Sequence, residues 1–495
     1  MNDQILNEIS VLLKSHYHVI NIETIDDDRA EAIAKEISDL IQIPFYIWSV
    51  HRGLFNYTER DVHPDTEDVF NLLSHISGST SEGIYLLRGF KPFLDDIKVN
   101  THLISLVDRL ENDRSALFFT GKDAQLEDPL RSHVASIKLP LPSEDDFVVL
   151  LKQIYTDLKR KERIEINISK PDLDKLIMNL RGLTLFEAKK ILTMIMVEDG
   201  TLTKDDIQVV IDSKKKLIEK EGLLEYYTAE ESFGDIAALD GLKDWLKKRQ
   251  IFVEKPDQAK KAGLIFPKGI LLLGVPGTGK SLCAKAVSKE WGLPLLKMDP
   301  AKLYSKYIGE TESKFNKAME ISEKMSPLIL WIDEIEKAFA SGGDADGGLS
   351  QRVIGSFLSW MQERKGDVFV IATANDVEKL PPEFLRKGRF DEIFFVDLPD
   401  YEARKSILDI HMKRREMALN LLNLERLAEL TEGFSGAELE QVLIGALYSS
   451  FSNKTEITQE DIEEEIRSTY PLSQTFEHKI QTLREWAKTR TVSAN

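Results

Sequence analysis

Short, wholly apolar runs recur along the chain. In the second half they are Gly269-Ile270-Leu271-Leu272-Leu273, Leu328-Ile329-Leu330-Trp331-Ile332 and Val368-Phe369-Val370-Ile371-Ala372-Thr373. Runs this short and this continuous predict parallel strands buried on both faces. Leu282 to Trp291, after the first run, reads as a helix. The first half repeats the pattern in His18-Val19-Ile20-Asn21-Ile22-Glu23, Gly83-Ile84-Tyr85-Leu86-Leu87 and Leu117-Phe118-Phe119-Thr120-Gly121, with a helix beginning near Arg29. The expected class is α/β.

In the second half, the residues just past the end of each run carry the chemistry. Gly274-Val275-Pro276-Gly277-Thr278-Gly279-Lys280-Ser281 matches the phosphate-loop pattern G-x-x-x-x-G-K-[ST] in full, between a strand and a helix. Glycines let the backbone curl so that its N–H groups point at phosphate oxygens, and the helix N-terminus adds partial positive charge. Lys280 is a point charge for the β- and γ-phosphates, and the Ser281 hydroxyl is placed to ligate Mg²⁺. The second run ends in Asp333-Glu334. Acids at the carboxyl end of a buried strand lie where α/β sheets place their ligands. Asp333 can hold the Mg²⁺ shell, and Glu334 can orient and polarise the attacking water. Glu336 and Lys337 read as solvated. The third run ends at Asn375, whose amide can bond both a γ-phosphate and the water.

These motifs and their order resemble the AAA subgroup of the AAA+ ATPases, over residues 232 to 470. Leu380-Pro381-Pro382-Glu383-Phe384-Leu385-Arg386-Lys387-Gly388-Arg389-Phe390-Asp391 resembles that subgroup's second region of homology. The resemblance implies ATP and Mg²⁺ as ligands, and Arg386 and Arg389 as arginine fingers that reach a neighbouring subunit's γ-phosphate. It implies that Ile236 and Ala237, within Asp235–Leu239, lie against adenine, with Ala where the family usually has Gly. Pro276, Gly277, Thr278, Gly279, Lys280, Ser281 and Leu282 would line the phosphates. His411 on the first lid helix, and Gly436 and Ala437 at the sensor-2 region, would touch the nucleotide. Lys306, Tyr307 and Ile308 fall at the first pore loop, where an aromatic on a glycine-hinged loop grips polypeptide in a hexamer's channel. Ser341 to Gly348 fits the second pore loop and equally a surface loop.

The first half reads as a decayed copy. Thr184-Leu185-Phe186-Glu187-Ala188 echoes Ser435-Gly436-Ala437-Glu438-Leu439, but Thr24-Ile25-Asp26-Asp27-Asp28 stands where a phosphate loop belongs. It has no glycine and three carboxylates, which repel phosphate. The expected layout is a degenerate AAA-like α/β domain at 1–145 and a helical lid-like domain at 146–213. A charged linker at 214–231 leads to the P-loop AAA+ domain with its parallel sheet at 232–400, a helical lid at 401–470 and a C-terminal helix at 471–495. A degenerate module joined to an active one is similar to a hypothetical AAA-ATPase reading-frame family of plastids and cyanobacteria.

Composition narrows the function. The formal net charge of -18 over 495 residues repels polyanions and argues against nucleic acid as the main partner. A single cysteine, Cys283, cannot form an intramolecular disulfide, and its helical position reads as core. Met1 to Leu13 lacks a signal-peptide core, and no apolar run approaches the roughly 20 residues needed to cross a bilayer. The expected compartment is the cytoplasm, or a stroma for a plastid-encoded chain. None of the nine histidines stands in H-E-x-x-H spacing, which sets aside a built-in metalloprotease. The leading reading is a homo-oligomeric, hexameric ATPase that remodels or threads a protein substrate. An ATP-dependent scaffold with little turnover and a nucleic-acid motor or loader are the alternatives.

Overall fold

The computed structural model describes residues 2–24, 26–110, 113–121, 131–160, 164–220, 222–299, 302, 310–339, 349–364, 366–386, 388–417 and 422–495. These form two compact units, Met1–Ile211 and Asp212–Asn495.

The first unit is built on a sheet of β1 (Val19–Glu23), β2 (Phe45–Ser49), β3 (Gly53–Asn56), β4 (Asp61–His63), β5 (Ile84–Leu87), β6 (Ala116–Thr120) and β7 (Val134–Lys138). Their spatial order is β4-β3-β2-β5-β6-β1-β7, parallel except for the β2-β3-β4 meander at one edge. The helices Glu144–Lys159, Lys170–Leu180 and Leu185–Asp199 follow, around a core of their own, with β8 (Glu165–Ile166) and β9 (Thr201–Leu202) paired beside them.

The second unit's sheet comprises β10 (Leu224–Tyr227), β11 (Gly269–Gly274), β12 (Leu295–Met298), β13 (Leu328–Ile332), β14 (Val368–Ala374), β15 (Glu392–Val396) and β16 (Val492–Ser493), in the order β10-β12-β13-β14-β11-β15-β16. Every residue of β11, β13 and β14 is buried. Their unbroken apolar runs supply both faces of the sheet. Leu271 and Leu273 join the cluster of Phe315 and Phe357, and the alternate residues Ile270 and Leu272 that of Val287 and Trp291. A lid of the helices Tyr401–Arg414, Leu424–Leu430, Gly436–Asn453 and Gln459–Ser468 packs around Leu408, Leu443 and Ile462.

Two segments differ from the sequence reading. Residues 214–231, expected as a helical or mobile linker, begin helical, in the end of Asp206–Glu219, but then give β10, antiparallel to β12. Leu224 is buried and Tyr226 and Tyr227 pack on the two faces, so apolar contact outweighs the surrounding charge. The tail at 471–495, expected as one helix, contains the helices Leu472–Thr475 and Glu477–Ala487 and then β16, which extends the sheet beside β15.

The two sheets follow one plan. The parallel strands β2, β5, β6, β1 and β7 of the first correspond to β12, β13, β14, β11 and β15 of the second. Register carries the match to single residues. Leu87 pairs with Phe119, and Ile22 with Thr120, in the first sheet. Ile332 pairs with Ala372, and Leu272 with Thr373, in the second. Arg88 therefore stands where the second sheet has Asp333, and Thr120 where it has Thr373. The helices after β1 and β11 start at Asp27 and Lys280, which matches Asp28 to Ser281. The charges are inverted: Arg88 Nη2 donates to Asp28 Oδ1 at 2.6 Å, and Thr120 Oγ1 donates to Asp27 Oδ1 at 2.7 Å.

Asp26 takes the place of an anion in this first unit. It is buried, and it accepts from Arg29 N–H at 3.4 Å and from Leu185 N–H at 3.1 Å. One carboxylate thus serves the N-termini of Asp27–Ile41 and Leu185–Asp199. Asp26→Ala should destabilise this unit by about 1–3 kcal/mol in denaturant unfolding. Asp26→Asn, which keeps an acceptor, should lose less. An unchanged transition in the alanine variant would deny the bridge any weight.

Candidate nucleotide site

β11 delivers the chain to a turn over Val275–Gly279, and the helix Lys280–Trp291 starts directly behind it. Gly277 and Gly279 have φ of +76° and +91°, a conformation that side chains strain. A Cβ at Gly277 would also lie 3.0 Å from Ala437 Cβ and from Ser435 Oγ. Among the described residues no side chain caps the helix N-terminus. Its N–H groups therefore remain available to an anion. Lys280 is buried, and its ammonium donates to the carbonyls of Gly274 at 3.0 Å and Val275 at 2.7 Å. Burial pulls it down to about 8, against the upward pull of Glu336, Asp333 and Glu334. On the same helix Cys283 is 1% exposed, and burial pushes its thiol up to about 12. It is a core residue.

The tips of β13 and β14 are cross-braced. Ser281 Oγ and Thr373 Oγ1 both donate to Asp333 Oδ1, at 2.9 and 2.6 Å. Thr373 Oγ1 also accepts from Glu334 N–H at 3.0 Å. Glu334 has φ of +50°, uncommon for a residue with a side chain and concentrated at functional sites. Asn375 Nδ2 donates to Glu334 Oε1 at 3.2 Å, and Lys337 Nζ lies 2.5 Å from Glu334 Oε2. The Lys337 side chain is solvated as expected, but Glu336 is not: it is 5% exposed. The turn after Asp333 folds Glu336 inward, where Oε1 accepts from Asn375 N–H at 2.9 Å. Burial raises its carboxyl above the usual range, opposed by that hydrogen bond and by Lys280.

The lid closes the site from the other side. Ser435 caps the helix Gly436–Asn453 in a reciprocal box with Glu438, as Thr184 does with Glu187 in the first unit. Ala437 N–H donates to Gly277 carbonyl at 3.0 Å, which seats the lid on the phosphate loop. His411 Nδ1 lies 3.4 Å from Glu440 Oε1, which Arg415 Nη2 also reaches at 2.6 Å. Burial lowers the His411 pKa despite Glu440. Ala238 and Leu239, beside Ile236 and Ala237, have φ of +57° and +61°. Ala238 thus occupies a backbone state suited to the family's glycine.

Ile236, Ala237, Pro276 through Leu282, Asp333, Glu334, Asn375, His411, Gly436 and Ala437 all line one cleft of about 480 Å³. Thr373, Ile410, Arg414 and Glu440 line it too and were not singled out from the sequence. Arg386 and Arg389 do not line it. Arg386 is exposed, and Arg389 Nη1 is buried without a hydrogen-bond partner among the described residues. Lys306, Tyr307 and Ile308, and the stretch from Ser341 to Gly348, lie outside the described residues. The cleft fits its expected ligands. The uncapped helix end and buried Lys280 suit a phosphate chain, and the hydroxyl of Ser281 with the carboxylate of Asp333 is a hard-oxygen pair suited to Mg²⁺.

Known protein families match along the chain. The family "ATPase family associated with various cellular activities (AAA)" matches residues 270–398, and "AAA+ lid domain" matches 422–464. "SpoVK-like AAA ATPase, N-terminal domain" matches 5–139, and its "second domain" 146–221. The ycf46 AAA domain-containing protein of Trieres chinensis is 36% identical over 486 residues, 97% of this chain and 96% of that protein. The chain belongs to this family of AAA ATPases. Its Pyropia yezoensis member is 35% identical over 97% of each chain. The proteasome-activating nucleotidase of Pyrococcus furiosus is 36% identical over 233 residues, 45% of this chain and 58% of that one. The protein is thus an ATPase, and among its described residues no helix is long and apolar enough to cross a membrane.

Proposed function

We propose that this ATPase works as a homo-oligomer, a hexamer, that couples Mg-ATP hydrolysis to remodelling or threading a protein substrate through a central pore. The observation that carries the reading is the separation of the hydrolytic groups. Lys280, Ser281, Asp333, Glu334 and Asn375 share one cleft, while Arg386 and Arg389 lie outside it.

In this reading the loop amides and Lys280 hold the triphosphate, and Ser281 and Asp333 hold Mg²⁺. The ion would supply charge that offsets the phosphate oxygens. Glu334 accepts the proton of the attacking water, and Asn375 fixes the orientation of Glu334 and of the terminal phosphate. Arg386 and Arg389 of one protomer complete the next protomer's cleft. Lys306, Tyr307 and Ile308 grip the polypeptide. The name of the proteasome-activating nucleotidase, which places that relative beside a protein-degrading machine, supports a protein substrate. The acidic net charge of -18 weighs against a nucleic-acid motor.

Turnover per chain should rise steeply with protein concentration and plateau once the ring forms. Arg389→Ala should lower the plateau by about 10³-fold or more. Mixing Arg389→Ala chains with Lys280→Ala chains, each nearly inactive alone, should restore activity, because intact fingers then meet intact clefts. Constant turnover far below the assembly concentration, with no recovery on mixing, would rule out fingers shared between protomers.

A further inference from the structure

We propose that Glu336 is a positioning residue for ATP hydrolysis: its carboxylate holds the backbone of Asn375 so that the Asn375 amide meets Glu334. This rests on the hydrolytic roles given above to Glu334 and Asn375.

The geometry begins with the position of Asn375. It is the first residue beyond β14, where the ladder ends and a backbone N–H needs a new partner. Glu336, on the short helix Ile335–Phe339, supplies it: Oε1 accepts that N–H at 2.9 Å. The same Asn375 sends Nδ2 to Glu334 Oε1 at 3.2 Å. Glu336 thus acts on one face of the Asn375 peptide and Glu334 on the end of its side chain. Two acids two positions apart are tied to the one residue that follows the neighbouring strand.

Stability alone does not account for a carboxylate in this place. Glu336 is 5% exposed, and Oε2 is buried with no hydrogen-bond partner among the described residues. A buried carboxylate oxygen left unpaired disfavours the fold, and an apolar side chain of the same size would avoid that penalty. Glu334 adds like charge nearby, which further disfavours the ionised Glu336. Of Asp333, Glu334 and Glu336, Glu336 exerts the strongest pull on the Lys280 ammonium. An acid in this place therefore acts on both the phosphate-binding lysine and the water-orienting pair, without lining the cleft itself.

The test compares steady-state turnover and Mg-ATP affinity in the full chain. Glu336→Ala, and Glu336→Leu as an apolar replacement that preserves packing, should lower kcat by about 100-fold, the scale of a small misplacement of reacting groups. Affinity should change by no more than about threefold, since the loop and Lys280 remain. Glu336→Gln, whose amide oxygen can accept the same N–H, should keep most of the activity. In an Asn375→Ala background, Glu336→Leu should cost little further kcat, because both act through one contact. Wild-type kcat in Glu336→Leu, or losses that simply add in the double variant, would overturn the assignment. Failure of the underlying site reading looks different: Glu334→Gln would then hydrolyse ATP at the wild-type rate.

Discussion

Glu334→Gln should lower ATP turnover by about a hundred- to ten-thousandfold while the chain still binds Mg-ATP. The amide keeps the size of the side chain and can still meet Asn375 Nδ2, which now approaches Glu334 Oε1 at 3.2 Å. It cannot accept the water's proton. The loss corresponds to about 3–5 kcal/mol of transition-state stabilisation. Because the binding groups are untouched, the effect should fall on kcat and leave the dissociation constant nearly unchanged. Phosphate release and retention of labelled ATP on the same sample measure both. Under the proposed remodelling function, the variant should also hold its protein substrate, so that the partners recovered with it identify the substrate. A scaffold that only binds ATP would behave the same with or without the substitution, and preserved biological function in the variant would favour that alternative.

The sequence was most informative where chemistry fixes residue type and spacing together. The phosphate loop, Asp333-Glu334 and Asn375 each come directly after an apolar run, and a parallel sheet necessarily brings the carboxyl ends of such runs to one edge. The order β13-β14-β11 then sets those three tips side by side. Glu336 escaped this logic. One position before Lys337, it has the look of a surface helix residue, and only the turn at Glu334, with its φ of +50°, directs it inward. Thr373 was hidden as the last residue of an apolar run, although its hydroxyl ties Asp333 to the Glu334 backbone. β10 and β16 span Leu224–Tyr227 and Val492–Ser493, too short and too polar in their surroundings to stand out by periodicity. An existing edge offers both strands hydrogen bonds, and β10 adds the apolar contacts of Leu224, Tyr226 and Tyr227.

The first unit shows a similar limit. The loss of its glycine loop is plain in Thr24-Ile25-Asp26-Asp27-Asp28. That Arg88 and Asp27 take the positions of Asp333 and Lys280 with charges reversed depends on strand register and on where the helices begin. Register is set by pairing between segments distant in sequence, such as Val19 with Leu117 and Ile84 with Ala116. The echo of Thr184–Glu187 in Ser435–Glu438 was legible, and both prove to be reciprocal helix caps. What the first of these caps meets was not: its helix rests on the carboxylate of Asp26, where the second rests on the backbone of Gly277.

Lys280 bears the largest share of the binding claim. Its ammonium is held by two loop carbonyls in a buried site, so a triphosphate entering the turn finds a cation already aimed and largely stripped of water. Lys280→Ala removes that charge and its bonds to the carbonyls of Gly274 and Val275, of which the second keeps the Thr278 hydroxyl as a donor. Affinity should fall by about a hundredfold, near 3 kcal/mol, the scale of a lost buried charge-assisted hydrogen bond. Calorimetric titration of the full chain and of Lys280→Ala with Mg-ATP is the decisive measurement. Saturable binding by the first and its near loss in the second are the predicted result; no binding by either, or equal binding by both, would contradict the site.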